Sequence, residues 1–262
     1  MLQSQIVNGA PETFEATEPE EIATLLKSDQ CAAVDRLRPL AQRGDPQAQL
    51  LLGQLSINGA GVECNPDDAL RWFRRAAHAK VPMAMNMVGR CHEYGLGTPV
   101  DYSEAAHWYR QAAAYDCDWG LYNYAHLLAN GRGVERNRAA AFAWFRLAAS
   151  RGHARSMNFL GQYYENGWGT PVSRDTAYAW YRRSAEAGDF RGQCSHASVL
   201  VEQGRIDEAL HWLRLAVKSA TPTYLSHLAA ALLKFRCPAL RDFAVLELGA
   251  KIDGSNVGPL VL

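Results

Sequence analysis

The sequence repeats itself every 36 residues. Trp72, Trp108, Trp144 and Trp180 stand 36 positions apart, and an aromatic residue follows each: Phe73, Tyr109, Phe145 and Tyr181. Two glycine columns keep the same step, Gly59, Gly95, Gly131, Gly167 and Gly61, Gly97, Gly133, Gly169. So do two alanine columns, Ala69, Ala105, Ala141, Ala177 and Ala77, Ala113, Ala149, Ala185. Independent columns in one register exclude coincidence. A period of this length marks a supersecondary unit that cannot bury its apolar face alone and must stack on its neighbours. A chain of 262 residues exceeds the usual compact domain, and the period selects an extended array.

Each copy reads as two antiparallel helices, which makes the fold class all-α, an α-solenoid of stacked helix pairs. In the first copy, one helix is predicted over Gln47 to Asn58, with Ala48, Leu52 and Gly53 on one face. The second is predicted over Pro66 to Lys80, with Ala69, Trp72, Phe73, Ala76 and Ala77 at helical spacing. Asn65, Asp101, Asn137 and Ser173 form a column of good N-cap residues ahead of the second helices. Pro66 suits a first helical turn, and Gly44, Gly152 and Gly188 fall where the second helices should end in a left-handed cap. Small residues are expected to bring helices close, while each Trp and the aromatic after it fill the wedge toward a neighbouring copy. On that reading Trp108→Ala and Trp144→Ala each cost about 3–5 kcal/mol.

The pattern resembles the Sel-one-like repeat (SLR) branch of the tetratricopeptide-related solenoids, roughly A-x-x-x-L-G-x-x-Y-x-x-G-x-G-V followed by A-x-x-W-Y-R-x-A-A-x-x-G. It stands here as SMNFLGQYYENGWGTPV, Ser156 to Val172, and AYAWYRRSAEAG, Ala177 to Gly188. Four full copies span residues 45–189. A shortened, TPR-like copy follows over 190–220, where Trp212 and the run from Gly204 to Ala209 replace the longer glycine loop. Residues 18–44 are expected to form N-terminal capping helices. Residues 221–262 are expected to supply C-terminal capping helices, over Pro222 to Phe235 and Pro238 to Ala250, and an apolar tail that either covers the last repeat, the favoured role, or docks elsewhere. Residues 1–17 are expected to be a flexible N-terminus.

Composition narrows function mostly by exclusion. With 27 basic and 27 acidic residues the formal net charge is zero, so no global field advertises nucleic acid or an anionic membrane. The start shows no secretory signal and no stretch reaches membrane-spanning length, and the six scattered cysteines suit free thiols in a reducing compartment; the expectation is a cytoplasmic protein. Neither a P-loop nor a dinucleotide fingerprint is present, and four equal G-x-G turns read as connectors. No metal-ligand spacing occurs among the eight His and six Cys, so neither a metal nor a cofactor is expected. Some cysteine-rich relatives in the resembled family are associated with penicillin binding, but the regular cysteine pairs of those proteins are missing here. No catalytic constellation emerges.

Two features remain as candidate surfaces. Arg74, Arg110, Arg146, Arg182 and Arg214 each stand two residues after a Trp. The ladder could meet RNA phosphates, although the resembled family itself places a basic residue there and such side chains readily lie over apolar surface. In related solenoids the first helices line the concave face. The inward columns here are Gln47, Met83, Trp119, Arg155, Arg191; Leu50, Asn86, Tyr122, Asn158, Cys194; and Gln54, Arg90, His126, Gln162, Ser198. Asn86, Arg90, Trp119, Tyr122, His126, Arg155, Asn158 and Gln162 are the expected groove for an extended peptide: amides bracket its backbone, arginines pair with a carboxylate, aromatics anchor it. The resemblance thus implies a non-catalytic scaffold or adaptor for a protein partner. A regulatory subunit that also holds a small ligand, and RNA binding through the ladder, are the alternatives.

Overall fold

The computed structural model describes residues 18–254; the expectations for residues 1–17 and for the tail, 255–262, lie outside the described residues. The chain forms α1 (Glu18–Ser28), α2 (Gln30–Gln42), α3 (Pro46–Asn58), α4 (Pro66–His78), α5 (Pro82–Tyr94), α6 (Tyr102–Ala114), α7 (Asp118–Asn130) and α8 (Arg138–Ser150). It continues through α9 (Ala154–Asn166), α10 (Arg174–Glu186), α11 (Phe190–Glu202), α12 (Ile206–Val217) and α13 (Pro222–Leu232). The last segment runs through α14 (Pro238–Asp242), a π-helical stretch (Phe243–Leu248) and α15 (Gly249–Gly254). No strand occurs among the described residues. The single helix expected over Pro238 to Ala250 is therefore broken by a change of hydrogen-bonding register. Arg214 on α12 donates to Glu247 at 2.8 and 3.0 Å and holds that stretch against the preceding helices.

Polar side chains start the second helices as the sequence predicts. Asn65 accepts from the Asp68 amide at 3.1 Å, Asp101 from Ser103 and Glu104 at 2.9 and 3.0 Å, Asn137 from Ala140 at 2.8 Å, and Ser173 from Thr176 at 3.4 Å. Glycine does two jobs in the loop before each of them. Gly95 ends α5 in the left-handed region at φ 71°. Gly97, at φ 67°, lies so close to the preceding pair that an added Cβ would come 2.4 Å from the Pro66 carbonyl oxygen at the start of α4. Gly61, Gly133 and Gly169 make the same approach to the first turns of α2, α6 and α8, so the inter-repeat seam is a contact of backbone on backbone. At the other end, Gly44, Gly152 and Gly188 take positive φ as expected, but Lys80 and Asp116 fill the same column, both at φ 62°.

Both aromatics reach a neighbouring copy as expected, but they are buried unequally. Phe73, Tyr109, Phe145 and Tyr181 are buried, whereas the four tryptophans before them are half-buried. The buried ring packs closely against its own first helix, where a Cβ at Gly53, Gly89 or Gly161 would come within 2.4, 2.6 and 2.3 Å of Phe73, Tyr109 and Tyr181 respectively, and Phe145 also stacks on Phe159 of α9 in the next copy at 4.9 Å. Glycine is thus what lets α3, α5 and α9 rest on the ring of their partner, while α7 carries the next smallest residue, Ala125, at the same position. Trp144 meets Tyr124 of its own pair edge to face at 5.3 Å and reaches the preceding pair at Ala113 of α6, in a cluster that also holds Leu121 of α7.

Where the buried ring is a tyrosine, its hydroxyl is satisfied. Tyr109 donates to Glu93 and Tyr181 to Glu165, each at 2.6 Å. Burial first, and the adjacent carboxylate second, push the Tyr109 hydroxyl far above the ordinary tyrosine range. Where the ring is Phe73 or Phe145, the glutamate position holds Ile57 or Ala129. The chain has thus solved one packing problem in two ways, each internally consistent.

Successive first helices touch directly, α5 against α7 and α9 against α11. They therefore occupy the tighter side of the stack, and their outward stripes share one face.

Candidate binding groove

That face holds a cavity of about 510 Å³, built from five first helices. Gln54 comes from α3. Met83, Asn86, Met87, Arg90, Glu93 and Tyr94 come from α5, and Trp119, Tyr122, Asn123 and His126 from α7; Arg155 on α9 and Arg191 on α11 close it. Positions 83, 87, 90 and 94 make one helical stripe, three or four residues apart, which is why one helix can furnish so long a wall. A side chamber of about 210 Å³ shares Gln54, Met87 and Arg90 with this groove and is floored by Ile57, Cys91 and Leu96.

Six of the expected groove residues converge there: Asn86, Arg90, Trp119, Tyr122, His126 and Arg155. Asn158 and Gln162 do not line it. Asn158 is buried with its Oδ1 unpartnered, and the Gln162 carbonyl accepts from Asn166 at 2.8 Å. The column of Leu50, Asn86, Tyr122, Asn158 and Cys194 is buried throughout, so it forms the floor between first helices rather than a free rim. Met87, Asn123, Tyr94 and Glu93 are lining residues that the three chosen columns passed over. Met87 and Asn123 stand 36 residues apart and complete the helical stripe, a signal already present in the sequence.

The polar groups differ in how far the protein satisfies them. Asn123 Nδ2 donates to Asn86 Oδ1 at 2.8 Å, so this pair holds itself. Arg155 lies over Trp119 and Tyr122, its guanidinium carbon 5.3 and 5.7 Å from the ring centroids. Its Nε is buried without a hydrogen bond, and the nearest carboxylate, Asp189, stands 3.9 Å away. Asp189 already accepts from the Gly192 amide as the N-cap of α11. Arg191 packs over Phe190 at 4.3 Å and also leaves a buried nitrogen, Nη1, unpartnered.

An aromatic cluster stands behind the groove. His153 caps α9 through Nδ1 and meets Trp119 and Tyr122 at 4.7 and 5.2 Å between ring centroids. Burial, helped by the Arg155 charge, holds its pKa down to about 4, so it is a neutral acceptor at pH 7. Burial likewise lowers His126 and raises Tyr122, with Arg155 opposing the latter. Cys91 and Cys194 are pushed up to about 11, burial being the main cause, which keeps both thiols protonated and unreactive. Among the described residues, no group of three or more His, Cys, Asp or Glu side chains is placed to hold a metal ion. None of their helices is long and apolar enough to cross a membrane.

Paired helices stacked at a fixed period, with a groove on the first-helix face, define a helical-repeat solenoid of the tetratricopeptide-like class. More narrowly, the chain belongs to the Sel1 repeat family, whose pattern matches residues 46–80, 82–114, 120–153, 154–189 and 201–219. Proteins built from Sel1 repeats are generally protein-interaction scaffolds and are typically non-catalytic. Among solved structures, a Sel1 repeat protein from Oxalobacter formigenes is similar over 90% of this chain and 97% of its own, with a TM-score of 0.73 and 24% identity. The antigen c5321 of uropathogenic Escherichia coli, which displays an SLR fold, aligns over 92% of this chain and 54% of its own (TM-score 0.64, 25% identity). The immunity protein Pa5087 of Pseudomonas aeruginosa shares the fold at a TM-score of 0.52 and 16% identity, over 72% of this chain and 75% of its own. Among curated proteins, none matches this chain by sequence.

Proposed function

We propose that this protein is a non-catalytic adaptor in the cytoplasm that grips an extended segment of a partner protein in the first-helix groove, the four-copy array over 45–189 supplying the surface. Residues 18–44 and 221–254 close the two ends of the stack, and 190–220 forms a shorter pair between array and cap. The observation that carries the reading is the convergence of Arg90, Trp119, Tyr122, His126 and Arg155 from three separate repeats on one cavity. Aromatic and arginine side chains in a partly enclosed site are the residue types that dominate binding energy at protein interfaces. The arginine ladder favours RNA less. It is exposed, and Arg182 and Arg214 are paired with Glu186 and Glu247, which breaks a positive stripe.

The test is affinity purification with the intact chain and with an Arg90→Glu, Arg155→Glu double variant. Partners captured by the first and lost with the second support the reading, given an unchanged far-ultraviolet spectrum. Retention of every partner by the variant moves the binding surface elsewhere.

A further inference from the structure

The groove is charged in a chain that is neutral. Arg90, Arg155 and Arg191 line it against one carboxylate, Glu93, which is already the acceptor for the Tyr109 hydroxyl. Among the described residues, Arg90 and Arg191 form no ion pair, and the one ion pair of Arg155 is the long approach to Asp189, its other polar partner being the Tyr122 hydroxyl. A guanidinium carries five N–H donors. Those of Arg155 and Arg191 are held in place by stacking on Trp119, Tyr122 and Phe190, and each arginine leaves one buried nitrogen, Nε and Nη1 respectively, without an acceptor. Such a pair costs little further ordering when an acceptor arrives.

The two ends of the groove differ. At the α9 and α11 end stand the two stacked arginines beside Trp119. At the α3 and α5 end the groove opens into the side chamber floored by Ile57, Met87, Cys91 and Leu96, with Gln54, Asn58 and Arg90 at its rim. Glu93 lies toward this second end and repels an acid there. Methionine walls accept varied aliphatic shapes.

From this juxtaposition we infer that the partner segment is acidic, placing an Asp or Glu carboxylate on Arg155 and Arg191 and a large aliphatic side chain, a few residues along, in the chamber beside Met87. This rests on the reading that the groove is the partner surface, and it adds the chemistry and polarity of what is held. Carboxylate pairing with arginine supplies the charge selectivity, and chamber filling supplies the apolar contribution.

The experiment uses the intact chain and immobilised pools of randomised peptides. One position is fixed in turn as Glu, Gln or Lys, and a second, one to four residues away, as Leu or Ser. The expected result is enrichment of the Glu and Leu pools, with Gln weaker than Glu by roughly ten- to a hundredfold, Lys weaker still, and the Glu preference fading with added salt. An Arg155→Gln, Arg191→Gln variant should bind Glu and Gln pools alike while its thermal melt is retained. Equal retention of Glu and Gln pools by the unaltered chain, retention of none, or stronger retention of a mixed-sequence RNA oligomer overturns the inference. Loss of partner capture in the Arg90→Glu, Arg155→Glu variant without any Glu preference defeats the acidic segment alone. Capture that survives that variant defeats the groove itself.

Discussion

The tyrosine–glutamate pairs allow a test in which the protein supplies its own control. Tyr109→Phe removes the donor and leaves Glu93, which is 9% exposed, without the 2.6 Å hydrogen bond it accepts. Leaving a buried polar group unpaired costs about 1–3 kcal/mol, and more when the group is charged. Because Glu93 also borders the groove, water relieves part of that penalty, and about 1–2 kcal/mol is expected. Glu93→Ile strands the hydroxyl of a fully buried ring and should cost a similar amount. The double change, Tyr109→Phe with Glu93→Ile, recreates the Phe73 and Ile57 combination of the first copy and should lie within about 1 kcal/mol of the starting protein. The coupling energy is then about 1–3 kcal/mol. Urea melts followed by circular dichroism read this as shifts of the midpoint at constant slope; thermal melts read it at roughly 2–4 °C per kcal/mol for a chain of this size. Two small, additive single effects would refute the claim that the hydroxyl and carboxylate depend on each other.

Four further outcomes follow from the packing. Gly97→Ala drives a Cβ into the Pro66 carbonyl and should cost more than about 2 kcal/mol, whereas Gly152→Ala, which meets open space, should cost only the left-handed penalty of about 1 kcal/mol; paired chemical melts decide. Lys80→Gly relieves that same penalty at φ 62° and should stabilise by about 0.5–1 kcal/mol in the same assay. Phe145→Ala removes a fully buried ring and should cost about 3–5 kcal/mol; Trp144→Ala, at a half-buried site, should cost about half as much, with equal losses contradicting the packing order. His153, depressed to about 4 when folded, takes up its proton more readily unfolded. Its contribution is therefore full above about pH 6.5 and falls away as the pH drops toward 4. His153→Asn keeps a capping side chain and should flatten part of that slope in melts run across the range; an unchanged slope would contradict the assignment.

The period, the capping column and the glycine turns were legible in the sequence because each is a local requirement repeated four times. Adjacent positions are harder. Trp144 and Phe145 have similar apolar character, and only the rotation of α8 on α7 decides which of them is buried. The Tyr109 and Glu93 pairing was also written in the sequence, as the alternation of tyrosine with glutamate and phenylalanine with isoleucine or alanine, but it shows only when two columns are compared. The groove was legible to the extent that its residues follow helix periodicity. Met87 and Asn123 belong to the same stripe as Arg90 and His126, but the chosen columns step from 86 to 90 and from 122 to 126 and so pass over them. Asn158 and Gln162 occupy matching columns on α9 yet fall beyond the cavity. Repeat symmetry predicts equivalent positions, and the edge of a groove is where that equivalence ends.

The second glycine of each loop sets the spacing between copies with main-chain atoms on both sides, Gly97 against Pro66 and Gly133 against Tyr102. Those backbone contacts involve no groove side chain, although Asn86 with Asn123 and Arg155 with Trp119 also bridge copies within the groove. The pitch of the stack is therefore recorded mainly in the glycine loops. Groove positions that touch only their own helix, such as Arg90 and Tyr94, are the ones free to drift toward a new partner while the scaffold keeps its dimensions.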